Sequence, residues 1–256
     1  MLVVISPAKT LDFDTPAQTD EFTQPAHLRE SRQLIKRLRV LSSPDLSSLM
    51  HVSRKIADLN WTRNRKWKTP FKLDNAKQAI FAFKGDVYLG LDAYSMNLQN
   101  LDFAQRHLRI ISGLYGVLRP LDLIQAYRLE MGSNLPTDQG DNLYQFWGMR
   151  ITDALNAELK ASGAKTLLNL ASNEYFKSIK PKAVKADIVT PVFKDFSNGK
   201  YRVIGFYAKK ARGLMTRFMI DRQITEVEDI KQFNREGYAF DESTSSQGKW
   251  VFSRKP

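Results

Sequence analysis

The sequence has no cysteine in its 256 residues. That absence excludes disulfides, thiolate metal centres, cysteine nucleophiles and thiol redox sensing. Histidine is almost as scarce: His27, His51 and His107 are the only 3, and none lies within i,i+3 or i,i+4 of another. A transition-metal site would have to rely on carboxylates, whose spacing shows no facial-triad pattern. No metal and no cofactor is expected. Long apolar runs are missing too, since no stretch approaches the roughly 20 residues that a spanning helix requires. The opening Met1-Leu2-Val3-Val4-Ile5-Ser6 lacks the basic segment of a signal peptide. A cytoplasmic protein without a membrane partner is expected. There is also no Gly-x-x-x-x-Gly-Lys-Ser/Thr, no Gly-x-Gly-x-x-Gly after a strand, no heptad array and no fixed-period repeat.

Positive charge is what the chain has in excess. Its 39 Lys+Arg against 27 Asp+Glu leave a formal charge of +12. This favours a polyanionic partner such as nucleic acid, a nucleotide or a phosphorylated ligand, with a generally basic protein as the plain alternative. A hydrophobic fraction of 43% with 26% charged residues is that of a globular protein able to bury a core without covalent staples.

Strand and helix patterns alternate along the chain. Leu2–Ile5 reads as a buried strand ending at Ser6-Pro7. Leu28, Leu34, Ile35, Leu38 and Leu41 recur at helical spacing beside Arg29, Arg32, Lys36, Arg37 and Arg39, which predicts an amphipathic helix with a basic face. Ser43-Pro44 predicts a helix start with the serine as cap, and Ser53 a cap for a helix running towards Trp67. Helices are also predicted over 75–83, 101–108 and 208–220. One long helix, capped by Asp141, should carry Phe146, Trp147, Ile151, Leu155 and Leu159 up to Gly163. Residues 109–111 and Thr166–Leu170 read as strands, and Ser172 as the cap of a short helix. Segments 188–193 and 201–206 flank Ser197-Asn198-Gly199, a strong hairpin signal. Thr225-Glu226-Val227-Glu228 matches a capping box, and 238–240 with 249–252 form a last strand pair. No linker interrupts this pattern. The expectation is a mixed α/β fold (α+β-like): a single compact domain, 1–256, with a mixed sheet or partial barrel, surrounding helices and a basic cleft. A monomer is expected.

Several segments could carry chemistry. Ser6-Pro7-Ala8-Lys9-Thr10 sets Lys9 between two hydroxyls just after the first strand, and the carboxyl end of a strand is where α/β proteins gather ligands. A turn with a solvated lysine is the equal alternative. In Phe83-Lys84-Gly85-Asp86-Val87-Tyr88, Lys84 and Asp86 bracket a glycine and could share a pocket, where a desolvated lysine beside a carboxylate serves proton transfer or phosphate capture. An exposed ion pair is the commoner outcome for such a turn. Glu130 and Glu174 are further carboxylates for that pocket. Lys9, Lys84, Asp86, Glu130 and Glu174 are therefore the candidates for catalysis, should there be a reaction.

Gly113-Leu114-Tyr115-Gly116-Val117-Leu118-Arg119-Pro120 has the flavour of a helix-hairpin-helix turn, which offers backbone N–H groups to a phosphate. It has one residue too many between its glycines, and the preceding segment reads as strand as readily as helix. Lys209, Lys210, Arg212 and Arg217 make a broad positive surface on one helix. There the small Ala211 and Gly213 permit close approach of a ligand or of another element. Trp61-Thr62-Arg63-Asn64-Arg65-Lys66-Trp67-Lys68 interleaves aromatics with cations, as nucleic-acid surfaces do, although either ring could be core.

Taken in order, Ser6-Pro7-Ala8-Lys9-Thr10-Leu11, Phe83-Lys84-Gly85-Asp86-Val87-Tyr88, Leu114-Tyr115-Gly116-Val117-Leu118-Arg119-Pro120-Leu121-Asp122, Tyr127-Arg128-Leu129-Glu130-Met131, Asn169-Leu170-Ala171-Ser172 and Phe206-Tyr207-Ala208-Lys209-Lys210-Ala211-Arg212-Gly213 resemble the bacterial peroxide stress resistance protein YaaA family. The resemblance covers essentially the whole chain. It implies survival of hydrogen peroxide stress, less unincorporated intracellular iron, less oxidative DNA damage, and DNA binding. It also implies an unusual mixed α/β fold with a positively charged cleft and a helix-hairpin-helix-like element.

Residue types narrow what such a role can mean. Without cysteine there is no peroxidatic thiol. Three scattered histidines and the lack of a Glu-x-x-His pattern give haem ligation or a ferritin-like iron site no support. Protection then works by something other than consuming the oxidant. The favoured expectation is a DNA-binding protein of the peroxide stress response that limits DNA damage and/or free iron. It would hold double-stranded or structured DNA mainly through phosphates, at Lys9, Lys84, Gly113, Gly116, Arg119, Arg128, Lys209, Lys210, Arg212 and Arg217. The alternative is an enzyme on a nucleobase, nucleotide or nucleic acid, glycosylase-like, that uses the Lys/Asp/Glu pocket.

Overall fold

Three short, mostly apolar segments, Leu2–Ile5, Leu108–Ser112 and Thr166–Leu170, form the centre of the sheet in the computed structural model, which describes residues 1–255. Their residues are buried almost without exception. Strands buried on both faces in this way need cover on each, and helices supply it. The three run parallel, with Ile5 opposite Ile110 on one side and Leu170 on the other.

The full strand order is Ala239–Ser246, Lys249–Arg254, Asp187–Ser197, Thr166–Leu170, Leu2–Ile5, Leu108–Ser112, Gly116–Leu118, with Lys200–Arg202 against the end of Asp187–Ser197. Antiparallel pairs close both flanks of the parallel centre. The order is a linear run, so the sheet is mixed and does not close into a barrel. The fold is the expected mixed α/β single domain. Its chain goes from Leu2–Ile5 to Leu108–Ser112 on one side and later to Thr166–Leu170 on the other. Such a reversal of strand order splays the loops beyond the carboxyl ends and opens a crevice there.

Helices stand where periodicity placed them at Leu28–Arg39, Arg54–Lys66, Leu98–His107 and Gly205–Asp221. Elsewhere local geometry differs from the sequence reading. The helix Ser43–Met50 is capped by Ser42 rather than Ser43: the Ser42 hydroxyl accepts from the Asp45 N–H, and the Asp45 carboxylate accepts from the Ser42 N–H. Segment 75–83 is not one helix, because Lys77–Gln78 pairs with Leu123–Ile124 and only Ala79–Ala82 turns helically. The long helix expected before Gly163 is two. Leu143–Trp147 is capped by Asn142 instead of Asp141, and Gly148, at φ +52°, turns the chain towards Arg150–Ser162. Asn198 and Gly199, both at positive φ, make the hairpin turn as expected, but Phe206 belongs to the helix that follows. Val227–Gln232 is a 3₁₀ helix without a side-chain cap, so the capping box there does not form. Ser53 and Ser172 stand at N-cap positions, yet neither side chain caps its helix.

One helix crossing governs the site. Asp86–Leu91 lies backbone against backbone on Gly205–Asp221. A Cβ on Gly213 would sit 1.8 Å from the Val87 carbonyl oxygen, and one on Gly90 would sit 2.2 Å from that of Lys210. The small residue of the basic helix thus admits another element.

The histidines make stability depend on pH. His27 packs edge-on against Trp147 at 5.6 Å, with its Nε2 buried and unpartnered. Burial holds its pKa below the ordinary histidine value, against the pull of Glu30. His107 is pushed down by burial as well. The unfolded chain therefore takes up these protons at higher pH than the folded one. Their contribution is complete above about pH 6.5 and is lost as the pH falls below that. We expect the melting temperature to drop between pH 7 and 5.5, and His27→Gln to flatten that slope. An unaltered slope in the variant would remove His27 from the account.

Candidate functional site

A cavity of about 580 Å³ opens beyond the carboxyl ends of Leu2–Ile5 and Thr166–Leu170, the crevice that the strand order creates. Four separate segments wall it: 6–10, 84–88, 172–175 and, from the long helix, Lys209 and Arg212. Each arrives for a local reason. Ser6 and Ser172 tie the two strand ends together, the Ser172 N–H donating to the Ser6 hydroxyl at 2.8 Å. Thr10–Leu11 pairs antiparallel with Phe83–Lys84, which sets Lys9 and Lys84 on one rim. The Tyr88 hydroxyl donates to the Ser6 carbonyl at 3.2 Å and pins the helix Asp86–Leu91 to the floor. Burial first, then the neighbouring phenols, pushes the pKa of Tyr88 and of Tyr175 far above the ordinary tyrosine value. Both phenols are therefore neutral and cannot act as bases near pH 7.

The cations at the cavity are of two kinds. Lys9 lies 3.2 Å from a Glu130 oxygen that Arg128 also holds at 2.9 Å. Lys84 lies 3.3 Å from Asp12. Hydrogen bonds, that from the Thr15 N–H foremost, keep the Asp12 carboxyl well below the usual carboxylate range. Lys209 and Arg212, by contrast, form no ion pair among the described residues, unlike Lys210 and Arg217 on the same helix. Arg212 is half-buried, and burial lowers its pKa with no carboxylate acting the other way. Asp86 and Glu174 are the two anionic side chains of the lining, against the four cations Lys9, Lys84, Lys209 and Arg212. One Glu174 oxygen accepts from the Gly132 N–H at 3.0 Å.

The structure thus brings together Lys9, Lys84, Asp86, Glu174, Lys209 and Arg212, with Glu130 and Arg128 directly behind Lys9. It places the other expected residues elsewhere. Arg119 is held by Asp122 at 3.2 Å, Lys210 by Glu236, and Arg217 by Asp221 and Asp92. Gly113 and Gly116 lie in a hairpin between two strands, so the expected helix-hairpin-helix turn is corrected to a β-hairpin. That hairpin is buried: a Cβ on Gly113 would meet the Leu129 carbonyl oxygen at 2.2 Å, and one on Gly116 the Trp147 ring at 2.7 Å. The N–H groups of Leu114 and Tyr115 already donate to the Ser112 hydroxyl. A turn enclosed in this way presents no amides to a phosphate. In the second basic stretch Trp67 is core, its indole N–H donating to the Tyr115 hydroxyl at 3.0 Å, while Arg65 covers Trp61.

Sequence reasoning missed Tyr88 and Tyr175 as lining residues and gave Ser172 only a capping role. The available signal was positional, since Ser6 and Ser172 each stand just past a short apolar strand. Chemically, the arrangement can hold an anion on Lys209 and Arg212 and accept hydrogen bonds at Asp86 and Glu174. Among the described residues, no group of three or more His, Asp or Glu is placed to hold a metal ion, and no helix is long and apolar enough to cross a membrane.

Comparison with known proteins agrees along the whole chain. Residues 1–244 match the family described as Peroxide stress protein YaaA. Similar relatives include two UPF0246 proteins of Aliivibrio fischeri, from strains MJ11 and ATCC 700601 / ES114. Each is 58% identical over 255 residues, covering 100% of this chain and 98% of the relative.

Proposed function

The chain belongs to the peroxide stress protein YaaA family, and from that premise we propose that it serves the hydrogen peroxide stress response by binding DNA in the cytoplasm as a monomer. The observation that carries this reading is the convergence of Lys9, Lys84, Lys209 and Arg212 from separate segments onto one concave face, on a chain with a formal charge of +12. Phosphates of double-stranded or structured DNA are the partners such a face attracts. Occupying DNA shields it from damage, and a chain without thiols does so without consuming the oxidant. A smaller free-iron pool belongs to the same protective role.

Phosphate contacts make affinity depend on salt. Four neutralised phosphates give a logarithmic slope of about −3.6, so duplex affinity should fall about 150-fold between 50 and 200 mM salt. Lys84→Ala and Lys209→Ala should each reduce the slope by about 1, read by fluorescence anisotropy. Salt-independent binding, or a Lys84→Ala protein with unaltered slope, would overturn the reading.

Asp86 in the same cavity favours a second reading, an enzyme acting on a nucleobase, nucleotide or nucleic acid through a Lys/Asp/Glu pocket. Asp86→Asn with undiminished DNA affinity but lost peroxide protection would favour chemistry over binding.

A further inference from the structure

Arg212 and Lys209 are spaced i,i+3 on the helix Gly205–Asp221, so they emerge on the same side of it. Both line the cavity, and among the described residues neither forms an ion pair with a carboxylate. The neighbouring cations of this helix are treated differently: Lys210 is tied to Glu236, and Arg217 to Asp221. A half-buried guanidinium without a counter-charge is costly to keep, and an anion relieves that cost. Its planar fork fits a phosphate through two parallel N–H donors.

Charge and shape narrow the ligand. A phosphodiester in a strand carries one negative charge per phosphate, whereas a phosphomonoester carries about −1.5 to −2 at pH 7. The second value matches two unneutralised cations side by side. A volume of about 580 Å³ is that of a small-molecule site, which typically spans roughly 300–1,000 Å³. Its position at the reversal of strand order is the place where open α/β sheets take such ligands. In the same lining, Asp86 and the Glu174 oxygen not used by Gly132 supply acceptors suited to sugar hydroxyls.

We infer that this cavity binds a free phosphomonoester of mononucleotide size, with its phosphate on Arg212 and Lys209 and its hydroxyl-bearing portion towards Asp86 and Glu174. This goes beyond DNA binding, because the ligand is held with no strand attached.

Isothermal titration of the whole protein at 150 mM salt tests the inference, with adenosine 5′-monophosphate, adenosine and inorganic phosphate as probes. The monophosphate should bind at least 10-fold more tightly than either of the others. Arg212→Ala should weaken it by 10-fold or more, and Arg212→Lys by a smaller factor. Lys55→Ala, which removes an exposed charge elsewhere, should leave it unaltered. Should Arg212→Ala fail to fold, Lys209→Ala is expected to show the same loss. Equal affinity for inorganic phosphate and the monophosphate, or a monophosphate affinity that ignores both substitutions, would overturn the site. If the monophosphate does not bind while duplex affinity keeps its salt slope, this inference fails and DNA binding stands. If the monophosphate binds and duplex does not, DNA binding fails and the site stands.

Discussion

Gly213→Ala is expected to destabilise the protein by about 3 kcal/mol or more, the upper end of ordinary overpacking, although alanine is the better helix residue. Propensity alone would predict a gain of about 1 kcal/mol in a helix interior. Packing decides the sign. The added methyl would lie 1.8 Å from the Val87 carbonyl oxygen and 2.8 Å from the Leu91 nitrogen. Backbone stands on that side, so no side chain can rotate away, and the two helices must separate. The melting temperature should fall by about 6 °C or more at 2–4 °C per kcal/mol. Asp86 rides on one of these helices and Arg212 on the other, so the cavity should loosen with them. Gly205→Ala is the matched control, with nothing within 4 Å of its added methyl, and should be neutral or slightly stabilising. A Gly213→Ala protein that melts at or above the wild-type temperature would refute the close crossing.

Arg254→Ala should be about as damaging, by roughly 3–5 kcal/mol. Asp195 is fully buried and pairs with the Arg254 Nε, while the Tyr238 hydroxyl lies 3.2 and 3.0 Å from its two oxygens. The Arg254 guanidinium also lies over the Tyr238 and Tyr207 rings, at 4.4 and 4.8 Å, and reaches Glu236 at 3.2 Å. Truncation leaves a carboxylate in the interior with a single hydroxyl for company. Arg254→Lys keeps the charge but loses the fork and the stacking, and should recover only part of the loss. The double substitution Asp195→Asn with Arg254→Met removes both charges and should be milder than Arg254→Ala alone. A loss below about 1 kcal/mol in Arg254→Ala, read by denaturant titration, would place this pair among weak surface bridges.

Much of the framework was legible because its residues leave few options. Leu2–Ile5 and Thr166–Leu170 are mostly apolar, short and bounded by turn residues, and buried parallel strands read that way. Segment 75–83 misled for the opposite reason: Ala79–Ala82 is buried on every side, so no polar face sets a period. The break at Gly148 was hidden because Phe146, Trp147, Ile151 and Leu155 keep helical spacing across it. At the site, the chemistry of Lys9, Lys84, Asp86 and Arg212 was visible, but their meeting depends on strand order, which no local pattern carries. Arg119, Lys210 and Arg217 looked equivalent to Arg212. Their carboxylate partners come from Asp122, Glu236, Asp221 and Asp92. Of these only the Asp122 and Asp221 contacts are near in sequence, at i+3 and i+4, and nothing in composition marks which cation is left unpaired.

The strand pairing has a kinetic meaning. Val3 lies opposite Leu108 and Leu168, so the central strands close loops of more than a hundred residues before their contacts reward the ordering. Long-range closures of this kind slow folding. The cavity needs both closures and the helix Gly205–Asp221 as well, which makes it a late product of assembly, absent from any fragment that stops short of Arg212. A molecule that binds there therefore selects finished chains, and its chief kinetic effect is to retard unfolding.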